Sequence, residues 1–227
     1  MTGNFVFSTM QGIARLVTTC CFDLKVYGVH NVPKNGGVLI VGNHQSFIDP
    51  AAIGAQIPRM TNYLGKSELF NSPLKNWVNR RMGGFPVRQG EGDIGAVREA
   101  IRRLQEGNAL VLFPEGGRTW DGELQPIKPG VGLIVRKAGV PVLPAIIEGS
   151  HDAWKRGTKF WKQHPVRLRF GQPQMLGHLK THEIVQTVDQ MFHATLQELR
   201  ADIALEDRAG RRTVLSRRHS GEGLIQE

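Results

Sequence analysis

Eight consecutive residues, Asn43-His44-Gln45-Ser46-Phe47-Ile48-Asp49-Pro50, hold a histidine and an aspartate separated by four positions. A carboxylate bonded to one imidazole nitrogen fixes the ring's tautomer and orientation and leaves the other nitrogen to accept a proton. That is a general base for an alcohol. On a continuous helix this offset would point the two side chains apart, but a strand-to-helix turn lets Asp49 fold back toward the imidazole. The same residues carry a second meaning: Ser46-x-x-Asp49 is a capping box and Pro50 suits a first helical turn, so Asp49 also reads as a cap.

Three later stretches add binding chemistry. In Gly83-Gly84-Phe85-Pro86-Val87-Arg88, glycines permit close backbone approach and an arginine follows a short strand. A guanidinium binds phosphate through two parallel hydrogen bonds, although a lone arginine in such a place also reads as a surface charge. Phe113-Pro114-Glu115-Gly116-Gly117-Arg118-Thr119 combines flexible backbone amides with a second guanidinium. Two arginines and a glycine turn can cradle one phosphate. Glu115 would orient Arg118, bond a substrate hydroxyl or form a simple ion pair. In Val140-Pro141-Val142-Leu143-Pro144-Ala145, the proline inside a strand-like run suggests an edge, a bulge or a ligand-lining turn. Neither a Gly-x-Ser-x-Gly elbow nor a metal-spaced His/Cys cluster is present, so direct transfer is favoured over a covalent serine or a zinc mechanism. Trp77, Trp120, Trp154 and Trp161 read first as packing residues, and second as lining for an acyl path or as membrane-interface groups.

The elements that must position these residues follow from pattern. Val38 to Val41 is an apolar run that reads as a strand buried on both faces, and it ends where the histidine block begins. Further strands are expected at Leu24 to Gly28, Thr61 to Gly65, Phe85 to Val87, Ala109 to Phe113 and Val142 to Ile147, with a helix starting at Asp49. Ile94, Val97, Ile101 and Leu104 recur at helical spacing between a capping Asp93 and a stopping Gly107; Arg98, Arg102 and Arg103 lie on the opposite, solvated face. Strands alternating with helices predict a single α/β domain, a mostly parallel twisted sheet flanked by helices, with ligands at the strands' carboxyl ends. Val166 to Phe170 alternates with period two and reads as an edge strand. From Glu183 to about Ala204, apolar residues at helical spacing predict a packing helix.

Composition sets the outer limits. A chain of 227 residues, 40% hydrophobic, supports one sizeable core. Its 27 glycines follow no repeat period. A formal net charge of +9 attracts anionic partners: nucleic acid, an anionic membrane surface or a phosphorylated substrate. No Lys/Arg-rich element interleaved with base-stacking aromatics is present, which argues against nucleic acid. Cys20 and Cys21 are adjacent and poorly placed to bridge, which points to a reducing compartment. Phe5 to Phe22 is apolar but interrupted by Gln11, Gly12 and Arg15, and reads first as an interfacial helix that docks on a membrane and second as a core helix that covers the domain. The expected organisation is an N-terminal interfacial helix over 1–23, a catalytic domain over 24–205 and a basic, disordered tail over 206–227.

The four blocks, in this order and at these intervals, resemble the glycerolipid acyltransferase family, whose best-known members are the 1-acylglycerol-3-phosphate acyltransferases. The resemblance spans Val38 to Gly149. It implies a membrane-associated enzyme in which His44 is the base, Asp49 its partner, and Arg88 with Glu115, Gly116 and Arg118 hold the acceptor's phosphate. Lys66, ahead of Ser67-Glu68-Leu69, matches a stretch that precedes the second block in many relatives; Gly117 stands where many members carry threonine or serine. The implied reaction moves a fatty acyl group from acyl-CoA or acyl carrier protein to a lysophospholipid hydroxyl, giving phosphatidic acid, at the cytoplasmic face of the membrane. The thioester is a substrate, and no metal or cofactor is called for. Two alternatives stay open: a hydrolase using the same pair on water, and a non-catalytic basic module for membrane or nucleic acid.

Overall fold

The structure is a computed structural model that describes residues 2–87 and 94–221. Helix α1 (Thr2–Phe22) leads into a short strand β1 (Lys25–Tyr27), and the buried run becomes β2 (Val38–Gly42). After it come α2 (Asp49–Gln56), β3 (Thr61–Lys66), α3 (Pro73–Arg81), β4 (Gly84–Val87), α4 (Ile94–Gln105) and β5 (Ala109–Leu112). The rest is α5 (Gly130–Ala138), β6 (Val142–Glu148), α6 (Ser150–Ala153), β7 (Arg167–Phe170) and α7 (Thr181–Gly221). Among the described residues the strands form one sheet in the order β1-β7-β6-β2-β5-β3-β4. Every neighbouring pair is parallel except β6 with β7.

Strand alternation sorts the core into two layers. Val38 and Ile40 of β2 face one side with Val111, Leu143 and Phe170, where α2 and the end of α1 cover them. Leu39 and Val41 face the other, with Leu110 and Ile146, beneath α4, α5 and α7. Both faces of β2 are therefore dry, which is why its sequence is apolar without alternation.

The structure departs from the sequence expectations at four places. Val166 to Phe170 is no edge: β7 is flanked by β1 and β6, and the three-residue β1 takes the edge. Pro144 lies inside β6, paired with Val41 in mid-sheet. It is tolerated because its carbonyl accepts from Gly171 N (2.9 Å) just past the last residue of β7, so the missing donor falls where the ladder ends. The last helix runs on through residues 206–221, where a disordered tail was expected; Lys25 to Glu206 (2.9 Å) and the Arg169 pairs with Glu198 and Asp202 tie its middle to the sheet edge. Arg103, placed on a solvated face, instead lies over the Phe85 ring at 4.4 Å and bonds Asn62.

Helix α1 is amphipathic in an inverted sense. Gln11 donates to Gly54 O and Ile57 O (3.2 and 2.7 Å), and Arg15 donates twice to Ala55 O (3.2 and 2.9 Å). Ala55 O and Ile57 O lie at the end of α2, at the negative pole of its dipole, while Gly54 O also accepts from Ile57 N (3.3 Å). Ile13, Leu16 and Val17 point outward at 45–64% exposure. No described helix is long and apolar enough to cross a membrane.

Two glycines test the packing of this corner. A Cβ on Gly54 would sit 1.5 Å from Tyr63 Oη, whereas one on Gly12 would meet nothing within 4 Å. Gly54→Ala is expected to lower the unfolding free energy by about 1–3 kcal/mol, and Gly12→Ala to raise it by about 0.5–1 kcal/mol, both read from urea denaturation.

Candidate active site

The histidine block leaves the carboxyl end of β2 and is held there by side chains acting as substitute backbone. Asn43 Nδ2 donates to Ile147 O (2.9 Å) and Asn43 Oδ1 accepts from Ile147 N (2.8 Å), so its amide continues the ladder with β6 after the main chain has turned away. The turn that follows wraps a single oxygen. Asp49 Oδ2 accepts from Gln45 N (2.7 Å), Ser46 N (2.6 Å) and the His44 ring at Nδ1 (2.9 Å), in a fully buried position. Only half of the capping box forms: Asp49 takes the Ser46 N–H, but the Ser46 hydroxyl donates to Trp154 O (2.8 Å). Asp49 thus caps the turn and orients the imidazole through one atom.

The second loop, after β5, closes on the first. Phe113 stacks on the His44 ring with centroids 4.2 Å apart. His44 N donates to Glu115 Oε2 (3.0 Å), and His44 O accepts from Thr119 N (2.8 Å). The His44 main chain is therefore clamped on both sides. Its side chain is 18% exposed, with Nδ1 committed to Asp49. Gln45 fastens the outer part of the loop, donating to Gly122 O and accepting from Ser150 Oγ (3.2 Å) and His151 N (3.4 Å).

Of the expected phosphate groups, Gly116, Gly117 and Arg118 lie on this loop beside the histidine. Gly116 takes φ +75° and has the Lys128 side chain across it; a Cβ there would lie 2.5 Å from Lys128 Nζ. Gly117 faces open space, and the partly exposed Arg118 makes no ion pair with any described residue. Glu115 does not orient Arg118. Its carboxylate is taken up by the N–H groups of His44 and Gln125 (3.0 and 3.3 Å). Lys66 ends β3, and Arg88 lies outside the described residues. Asn43, Gln45, Phe113 and Lys128 received no role from the sequence. The first two sit inside the histidine block and Phe113 opens the glycine stretch, so these three were open to detection; Lys128 is a lone loop lysine that only the fold brings to the glycine turn.

Burial pushes the Glu115 carboxyl up to about 7, assisted by the nearby Asp49 charge and partly offset by the two N–H donors. A carboxyl whose folded pKa exceeds its unfolded value contributes stability that is fully present below about 4.5 and is lost as pH rises through about 7.

The model of a family described as Acyltransferase matches residues 23–148. The chain belongs to the acyltransferase family. This acyltransferase is 27% identical over 180 residues to the 1-acyl-sn-glycerol-3-phosphate acyltransferase of Bacillus subtilis (strain 168), covering 78% of this chain and 87% of that one. It is 30% identical over 145 residues to the lyso-ornithine lipid O-acyltransferase of Pseudomonas aeruginosa, covering 63% and 54%. The crystal structure of the 1-acyl-sn-glycerophosphate acyltransferase PlsC from Thermotoga maritima superposes with a TM-score of 0.76 at 28% identity, over 88% of this chain and 82% of that one. The chain spans about half the length of several plant relatives that it also matches.

In Glu115→Gln the fall in unfolding free energy between pH 4.5 and 7 is expected to shrink by about 3 kcal/mol. Urea titrations of both proteins at the two ends of that window measure it.

Proposed function

We propose that this acyltransferase moves a fatty acyl group from a thioester donor to the free hydroxyl of a lysophospholipid, with 1-acylglycerol-3-phosphate as the acceptor and phosphatidic acid as the product. The observation that carries the proposal is the 2.9 Å bond between His44 Nδ1 and Asp49 Oδ2, in a ring that stays partly open to solvent. With Nδ1 committed, Nε2 takes the proton from the acceptor hydroxyl as its oxygen attacks the thioester carbonyl. The tetrahedral intermediate collapses, the carbon–sulfur bond breaks, and the proton passes to the departing thiolate. Asp49 supports the imidazolium that forms on the way.

The acceptor's phosphate is assigned to the glycine turn. Arg118 supplies a planar fork, Lys128 a point charge, and Gly116 with Gly117 leave room for a close approach. Arg88 and Lys66 join this set by family resemblance. Glu115 acts on the base instead, holding the His44 backbone at the height the reaction needs. The donor is acyl-CoA or acyl carrier protein, both of which present the same thioester. The enzyme works at the cytoplasmic face of a membrane as a peripheral or monotopic protein, and α1 supports this: its Gln11 and Arg15 are spent on α2 while Ile13, Leu16 and Val17 face out, as suits a helix lying in the headgroup plane.

Purified protein given lysophosphatidic acid and a long-chain acyl-CoA is expected to release thiol and form phosphatidic acid in equal amounts. His44→Ala is expected to lower kcat by about 10²–10⁴-fold with the fold intact; near-normal turnover in that variant removes His44 as the base. Thiol release with free fatty acid in place of esterified lipid overturns acyl transfer in favour of hydrolysis. Arg118→Ala is expected to reduce kcat/KM for lysophosphatidic acid by about 10–100-fold, mainly through KM.

A further inference from the structure

The loop from Trp154 to Lys162, between α6 and β7, carries Lys155, Arg156, Lys159 and Lys162 with no acidic residue among them. All four cations are exposed, Phe160 is 83% exposed and Trp161 46%. We propose that this loop is a second interfacial anchor, which sets its basic and aromatic side chains into the anionic headgroup layer of a bilayer beside the opening of the site. The proposal rests on the reading of the acceptor as a membrane lipid.

Placement is the first support. The loop bridges the catalytic turn and the end of α1. At one side Ser46 Oγ bonds Trp154 O (2.8 Å) and the exposed Phe47 ring meets Trp154 edge-on at 5.6 Å. At the other, Trp161 packs against Phe22 with centroids 5.2 Å apart. Between them Arg156 donates to Arg118 O (3.1 Å) and lies 3.9 Å over the ring of Trp120, itself 73% exposed. The loop is thus joined to the buried end of α1 and to the rim of the glycine turn.

Its construction is the second. Gly157 turns it at φ +85°, Trp154 Nε1 donates to Thr158 O (3.2 Å), Thr158 Oγ1 to Lys155 O (2.9 Å), and Lys162 N to Ala153 O (2.7 Å). These bonds close the loop on itself, so the apolar rings are held out in water. Asp152 is the one acidic side chain to pair with a loop cation, 3.6 Å from Lys155, among the described residues. Aromatic rings flanked by lysines suit the membrane–water interface, where rings lie at headgroup depth and ammonium groups reach anionic lipid. A carrier protein presenting an acidic helix would match the charge, but it leaves a ring as exposed as Phe160 without a pocket.

Co-sedimentation of the full chain with vesicles decides the matter, using phosphatidylcholine alone and an equal mixture with phosphatidylglycerol. Lys159→Ala with Lys162→Ala is expected to weaken partitioning onto the anionic vesicles roughly 30-fold and to leave the neutral ones little changed. Phe160→Ser is expected to weaken both. Turnover of detergent-dispersed lysophosphatidic acid with acyl-CoA stays at the parent level in all variants. Unchanged partitioning of the double variant overturns the proposal. So does a loss of turnover confined to acyl carrier protein donors, which would make the loop a protein dock. Parent protein that binds anionic vesicles through the loop yet forms no esterified lipid overturns the acyl-transfer reading and leaves the anchor standing.

Discussion

One carboxylate oxygen, Asp49 Oδ2, organises the turn that follows β2. It gathers two backbone N–H groups and the imidazole within 2.6–2.9 Å, and it does so fully buried. A buried carboxylate without such donors would be costly, so the turn from Gln45 to Ile48 has to close around it. Because the same atom that stabilises the turn also aims His44, folding of the turn and orientation of the imidazole are one event. Helix α2 begins at Asp49 and so starts from a point already set by the imidazole.

The second loop matters for a related reason. His44 N and O point in opposite directions from the chain, and both would be unpaired after β2 ends. Glu115 and Thr119, from the loop after β5, take one each. The two loops meet because β2 and β5 are adjacent and parallel, so their carboxyl ends lie together. Burying Glu115 for this purpose raises its pKa, which means that the group serving the histidine's backbone is itself sensitive to pH near neutrality. The glycine turn can then face the substrate, because the acidic residue of its motif is turned inward.

Several exposed apolar side chains lie near the candidate active site. The outward stripe of α1, the exposed rings of Phe47 and Trp120 and the Trp154–Lys162 loop are joined through Phe22, Trp161 and Trp154. Three of the four tryptophans, Trp77, Trp120 and Trp161, are substantially exposed, and each still packs one face against a neighbour: Arg81, Arg156 and Phe22.

Much of this protein was written locally. The apolar run at Val38 to Val41, the helical spacing from Ile94 to Leu104 and the histidine–aspartate pair depend on neighbours within one or two turns, and period and turn chemistry report such neighbours directly. Tertiary structure decided what depends on partners far along the chain. The alternation of Val166 to Phe170 is the same for a true edge and for a strand covered only by the three-residue β1. Glu115 carries the same side chain whether it meets an arginine or the His44 amide, and only the adjacency of β2 and β5 selects between them. Gln11 and Arg15 interrupt an apolar helix in the sequence, yet in the fold they serve the exposed carbonyls of α2, because a helix end left without donors attracts whatever donor packs against it.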